Sequence, residues 1–298
     1  MKPLTLLDGG MGRELKRIGA PFSQPLWSAQ ALIESPQHVT QAHQRFIDAG
    51  AEVIITNSYA CVPFHLGEER YRQQGAQLAR LAAKLAKDVT LKHPNVHVAG
   101  CLPPPMGSYR PDLFDKQRAE DIYQTLYTAQ RDHADLWMVE TLSSIEEFQS
   151  AQIVLSSSTL PSYYAFSLQD TVKEAACIRS GESVTDAIQA VLNAGESKVL
   201  FNCSMPEVML QAVVDAKLCA AEQGKEIEVG VYANNFTAID PDHQANTLFQ
   251  AERSVSPDEY LRFAQQWYDA GATIIGGCCG IGPEHIERLS EWKASLES

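Results

Sequence analysis

Apolar residues are arranged along the chain in two rhythms. Short runs rich in Val, Ile, Leu and Phe occur at 4–7, 53–56, 96–99, 136–139, 163–167, 198–201, 228–232 and 272–275. Most are apolar on consecutive positions, as parallel strands covered on both faces must be. Between them, apolar residues return every three or four positions: Val39, Ala42 and Phe46; Leu78, Leu81, Ala82, Leu85 and Val89; Ile122, Leu126 and Ala129; Val184, Ala187, Ile188 and Val191; Leu261, Ala264, Trp267 and Tyr268. Each stripe predicts an amphipathic helix with one core-facing side.

The punctuation agrees with this reading. Ser35-Pro36, Ser204 with Pro206, and Ser256-Pro257 combine a capping side chain with proline at a helix start, and Ser204 with Glu207 and Ser256 with Glu259 have capping-box spacing. Asp48-Ala49-Gly50-Ala51 and Asp269-Ala270-Gly271-Ala272 each end a helical stripe on glycine and open a strand run. Eight strand-helix units follow one another with no composition break or low-complexity linker. They predict one α/β domain over 1–298, closed as a (β/α)8 TIM barrel in preference to an open doubly wound sheet.

Composition narrows the class of partner. Lys and Arg number 24 against 37 Asp and Glu, a formal charge of −13, which repels nucleic acid and anionic membrane surfaces. The opening residues hold too short an apolar stretch for a secretory signal, and no later run approaches a membrane span, so a cytoplasmic location is expected. Seven cysteines in a chain of 298 residues argue for reduced thiols rather than a disulfide framework.

A barrel gathers its chemistry where strands end. Those positions hold Asp8, Asn57-Ser58-Tyr59, Glu140-Thr141, Asn202-Cys203-Ser204 and Gly276-Gly277-Cys278-Cys279-Gly280. Cys278 and Cys279 are adjacent and would point to opposite faces of a regular strand; the flanking glycines allow the backbone to leave that geometry. Cys203 ends the sixth strand, two strand spacings or roughly 10 Å from the eighth, within reach of one shared zinc. Three thiolates with a fourth position open are the pattern of a catalytic zinc. Spacing alone also admits two other readings, buried small hydrophobes or a vicinal disulfide. Cys219 falls inside a helical stripe and reads as core, whereas Cys61 and Cys101 lie near strand ends with a secondary role open.

The segments Asp8-Gly9-Gly10-Met11-Gly12-Arg13-Glu14-Leu15, Leu26-Trp27-Ser28-Ala29, Ala49-Gly50-Ala51 through Thr56-Asn57-Ser58-Tyr59, Val139-Glu140-Thr141, Asn202-Cys203 and Gly276-Gly277-Cys278-Cys279 together resemble the homocysteine S-methyltransferase family, in order and over almost the whole chain. The resemblance implies a barrel with Zn2+ on Cys203, Cys278 and Cys279, the homocysteine thiol taking the open position. It implies transfer of a methyl group from a sulfonium donor, S-methylmethionine or S-adenosylmethionine, to give methionine. Similarity places Asp8 and Glu140 on the homocysteine ammonium and Thr56 and Tyr59 in the pocket wall. Asn234 matches a family Tyr-Pro-Asn motif with Ala233 in place of Pro. Read without the family, Asp8 before two glycines also suits a turn, and Glu140 at the end of an apolar strand needs a partner.

The stretch 101–110, with Pro103-Pro104-Pro105, departs from the family's Gly-Ser-rich turn, and the segment 234–256 is long enough for a lid. Neither carries a donor signature. Two alternatives therefore stay beside the main reading: the same acceptor site with betaine or another donor, and a non-catalytic zinc or thiol-sensing barrel. The length leaves no room for a corrinoid domain.

Overall fold

A computed structural model describes residues 2–171, 174–238 and 253–297. Its strands are β1 (Thr5–Leu6), β2 (Val53–Ile55), β3 (His97–Leu102), β4 (Leu136–Leu142), β5 (Ser162–Ser167), β6 (Lys198–Asn202), β7 (Glu228–Ala233) and β8 (Ala272–Gly277). The helices are α1 (Met11–Arg17), α2 (Ala29–Glu34), α3 (Pro36–Asp48), α4 (Pro63–Leu66), α5 (Glu68–Arg70), α6 (Ala76–Thr90), α7 (Lys116–Gln130), α8 (Ile145–Leu155), α9 (Val184–Asn193), α10 (Pro206–Glu222), α11 (Pro257–Ala270) and α12 (Pro283–Glu297). All eight predicted strands are present, and β3, β4 and β8 run two or three residues beyond the expected ends.

The strands are parallel in the order β1-β8-β7-β6-β5-β4-β3-β2. A parallel bridge from Leu7 to Val53 joins the two ends, with Glu52 N–H donating to Leu6 O at 2.8 Å and Asp8 N–H to Val53 O at 2.9 Å. The fold is the expected (β/α)8 barrel. Its apolar strands divide between two cores. Leu7, Val53, Ala99, Leu136, Met138, Ala165, Leu200, Tyr232 and Ile274 fill the barrel. Their neighbours, such as Val139, Phe166, Val199, Phe201 and Val231, pack outward against the helices. Each large side chain so buried contributes about 1.5–3 kcal/mol, which is why consecutive apolar positions are needed.

All three helices start at the expected prolines, Pro36, Pro206 and Pro257, and the side-chain cap forms in one case and not in the other two. Ser256 and Glu259 form the full capping box on α11, and Gly271 ends that helix with φ 118°. Ser204 does not cap α10. Its hydroxyl instead accepts from Leu168 N–H at 2.8 Å, Met205 takes the cap position and Glu207 pairs with Arg253, because the barrel wall draws Ser204 inward. Ser35 stands at the start of α3 with its hydroxyl on the side chains of Gln37 and His38 rather than on the backbone. No helix among the described residues is long and apolar enough to cross a membrane.

Candidate functional site

The alternation that fills the barrel also delivers the polar groups at its mouth. Leu136 and Met138 point inward, so the next inward position on β4 is Glu140; by the same step Ala99 leads to Cys101, Leu200 to Asn202, and Ile274 through Gly276 to Cys278. Glu140 sits on an irregularity, since the β4–β5 register shifts between Val139 and Leu142 and Thr141 has φ 58°. A bulge of this kind re-aims a side chain at a barrel rim.

Cys203 and Cys278 bend over the same strand end. Cys203, at φ 46°, donates its N–H to Tyr232 O at 3.3 Å, and Cys278 donates to Ala233 O at 2.9 Å. Both backbones lean onto the last residues of β7, so their Cα atoms are 5.7 Å apart, closer than two strand spacings predict. Their sulfurs are in disulfide contact, and Cys279 takes part in no disulfide; the vicinal 278–279 disulfide is not formed. The three Sγ atoms all lie within 4.8 Å of one another. A tetrahedral zinc with Zn–S of about 2.3 Å has sulfur-sulfur edges of about 3.8 Å, so the reduced triad fits that ion. The neighbouring backbone is tight. A Cβ on Gly10 would lie 2.6 Å from Cys278 O and 3.0 Å from Cys279 Cα, which explains a glycine facing the sulfur loop.

Two buried carboxylates share the pocket with these sulfurs. Asp8 accepts from Ile55 N–H at 2.8 Å, and Glu140 accepts from the Cys101 thiol at 2.8 Å. Burial pushes the Glu140 carboxyl up to about 7, against the lowering effect of that thiol and of Tyr232. Burial raises Asp8 well above the carboxylate range too; the Ile55 bond opposes it, and the charge of Glu140 adds to it. Among the described residues no basic side chain pairs with either acid. Two desolvated acids in one cavity favour a cation between them. The Cys101 thiol is itself held protonated, by burial first and by Glu140 second, so the secondary role left open for Cys101 is that of a donor to Glu140. Cys61 is pushed up to about 12 by burial and lies in the core, and Cys219 is core as expected.

The cavity above the sulfurs encloses about 150 Å3 and is walled by Phe22, Trp27, Tyr59, Tyr109, Tyr232 and Phe236, with Asp8, Glu140, Cys203, Cys278 and Cys279 at its base. Tyr59 lines it, its hydroxyl 2.6 Å from Ser108 Oγ, and burial keeps the phenol neutral. Thr56 also borders the cavity, but its hydroxyl is engaged behind the wall: it donates to Gln130 Oε1 at 2.7 Å and accepts from Cys101 N–H at 2.9 Å. Asn234 takes a different place. That side chain does not line the cavity; its Oδ1 accepts from Phe236 N–H at 3.1 Å, a local turn that seats the aromatic wall instead.

Sequence reasoning missed Tyr109, Tyr232, Phe236 and the buried Gln130. For Tyr232 the signal was available, since the two-residue period on β7 turns it inward. For Gln130 none was, because a helix stripe gives no reason for a buried amide. Of the segment expected to form a lid, 239–252 lies outside the described residues.

A family model described as homocysteine S-methyltransferase matches residues 5–292. Homocysteine S-methyltransferase 1 of Zea mays is 27% identical over 314 residues, covering 96% of this chain and 93% of its own length. Selenocysteine Se-methyltransferase of Brassica oleracea var. italica is 25% identical over 329 residues, covering 99% and 90%. The crystal structure of the homocysteine methyltransferase MmuM from Escherichia coli, metallated form, matches with a TM-score of 0.76 and 25% identity over 98% of this chain and 96% of that one.

Proposed function

The chain belongs to the homocysteine S-methyltransferase family, and on that premise we propose that it is a zinc-dependent enzyme moving a methyl group from a sulfonium donor to homocysteine. The observation that carries this reading is the convergence of three thiols from the ends of β6 and β8 beside two buried carboxylates in one aromatic-walled cavity. The sulfurs suit a thiophilic metal, the acids suit an α-ammonium, and the aromatic faces suit an onium ion.

Cys203, Cys278 and Cys279 would hold the zinc, which when bound supplies the low thiol pKa that keeps the homocysteine sulfur ionised and nucleophilic. Glu140 and Asp8 take the ammonium in charge-assisted contacts, which tells homocysteine from a simple thiol. Tyr59, Thr56 and the rings around them close the wall and exclude water, and Asn234 supports that wall through Phe236. In the transfer the homocysteine sulfur forms a bond to the methyl carbon as the carbon-sulfur bond of the sulfonium breaks. The bonding pair stays with the departing sulfur, and the thiol proton has already gone to solvent. Sulfonium and thiolate thus become two neutral thioethers, methionine and the demethylated donor. No general base is required in that step, and the chain's contribution is in-line positioning.

Parallel assays with S-methylmethionine, S-adenosylmethionine and betaine, each with zinc analysis of the purified protein, test the proposal. Methionine formation with a sulfonium donor and one zinc per chain is the expected result; a zinc-free protein at full activity, or betaine as the sole donor, overturns it. A thiol sensor would bind homocysteine without methylating it.

A further inference from the structure

A fully buried amide stands behind the cavity wall. Gln130 ends α7, whose other buried positions are Ala119, Ile122, Tyr123, Leu126 and Ala129, and it does not border the cavity. Its Nε2 donates to Cys101 O at 2.9 Å and to Leu126 O at 3.3 Å, and its Oε1 accepts from Thr56 Oγ1 at 2.7 Å. Ser58 Oγ stands between Gln130 Oε1 at 3.0 Å and Cys101 O at 3.1 Å, able to donate to either. Thr56 Oγ1 in turn accepts from Cys101 N–H at 2.9 Å. Both backbone groups of Cys101 are thus held by side chains.

The network continues a strand that has already ended. β2 pairs with β3 only as far as Ile55 and Ala99, with Thr56 N–H donating to Ala99 O at 3.0 Å, so Cys101 extends past the end of β2. Buried backbone groups left there without partners would be costly. On the other side the β3–β4 register closes at Leu102 and Val139, and β4 and β5 lose register between Val139 and Leu142. Glu140 falls outside both registers. The terminal torsion of a glutamate is broad and two-fold, so the plane of this carboxylate depends on what its oxygens meet. Cys101 Sγ donates to Oε2 at 2.8 Å, and the thiol stays a donor because burial, and then the Glu140 charge, keep it protonated.

We propose that Cys101 and Gln130 are positioning residues for the acceptor amino acid: Cys101 fixes the carboxylate plane of Glu140, and Gln130 acts through Cys101 by holding its backbone beyond the end of β2. The assignment deepens the methyl-transfer reading above and rests on it, since Glu140 is there the partner of the homocysteine ammonium.

Calorimetric titration of homocysteine into the zinc-loaded protein, kept reduced by a phosphine, reads the binding step without a methyl donor. Cys101→Ala is expected to raise Kd by about tenfold, the scale of one hydrogen bond to a charged group. Cys101→Ser keeps a donor on the same carbon and should stay within about threefold of the wild type. For 4-mercaptobutyrate, which lacks the ammonium, wild type and Cys101→Ala should agree within about twofold, at equal zinc content. Gln130→Met should weaken homocysteine by about fivefold and spare 4-mercaptobutyrate. Added to Cys101→Ala, it should cost less than about twofold more, the non-additivity of two residues acting along one path.

Equal weakening of both thiols in Cys101→Ala, or no rescue by Cys101→Ser, gives the network a purely structural role and overturns the assignment. Additive losses in the double variant overturn the part of Gln130. Should Gln130→Met not fold, Thr56→Val, which removes the acceptor of Cys101 N–H, carries the same cycle. A wild type that binds neither zinc nor homocysteine sinks the methyl-transfer reading itself; a wild type that binds both, with Cys101→Ala indistinguishable from it, sinks only this assignment.

Discussion

Asn202 and Thr141 exchange two hydrogen bonds across the barrel mouth: Asn202 Nδ2 donates to Thr141 Oγ1 at 3.0 Å, and Thr141 N–H donates to Asn202 Oδ1 at 3.1 Å. Each residue is next to a group of the proposed site, Glu140 on one side and Cys203 on the other. Thr141 and Cys203 both have positive φ, a conformation that non-glycine residues hold only when their surroundings enforce it. The pair thus locks the acid of β4 to the sulfur of β6. Asn202→Ala should cost about 1–3 kcal/mol in denaturant unfolding, since it orphans a buried hydroxyl and N–H. It should also weaken both zinc retention and homocysteine affinity. A variant that loses one and keeps the other would show that the two groups are not coupled through this pair.

Removal of one sulfur tests the proposed metal site directly. Cys279→Ala should purify with little or no zinc and form no methionine, because two thiolates leave a zinc site short of its ligands. Its fold should survive, as Cys279 is only partly buried where it lines the cavity; metal analysis beside circular dichroism reads both outcomes.

The acids should act on the amino group and not on the sulfur. Glu140→Gln is expected to raise KM for homocysteine by about tenfold or more while zinc content stays at the wild-type level. With 4-mercaptobutyrate, which lacks the ammonium, wild type and variant should be nearly equal. Equal loss on both thiols would place Glu140 in the structure of the cavity rather than on the substrate.

One buried acid away from the cavity gives the protein a pH-dependent stability. Glu147 in the first turn of α8 accepts from Ser143 N–H at 2.6 Å, yet burial pushes its carboxyl up to about 8, and the charges of Glu182 and Glu146 add to the rise. Between about 4.5 and about 8 the folded chain keeps a proton that the unfolded chain has released. Stability from this group is therefore full at acid pH and is lost as pH rises through about 8. Glu147→Gln, which keeps the acceptor and cannot ionise, should flatten the fall in unfolding midpoint between pH 6 and 9 by on the order of 1 kcal/mol or more. A wild-type midpoint that rises over that range would contradict the reading.

Much of the site was legible in the chain. The double cysteine, the Asn-Cys pair and the acids at strand ends marked the base of the cavity, because parallel strands in a barrel must end at one rim and their last inward residues must meet there. The amphipathic stripes likewise placed the outer helices. Local capping was less secure: Ser204 had the right spacing and lost its role to the barrel wall, where Leu168 competes for its hydroxyl.

By itself the sequence determined the repeat of strand and helix, and with it the set of residues that share the barrel mouth, since both rest on periods of two and of about three and a half that any reader of the chain can count. Only the tertiary structure decided how closely those residues approach and what each polar atom faces. Cys203 and Cys278 meet because both hang on carbonyls of β7, Asn234 accepts from the backbone N–H of Phe236, and Gln130 reaches in from α7 to hold Thr56. Such contacts join positions far apart in the chain through the curvature of a closed sheet, and no local pattern records a distance across it.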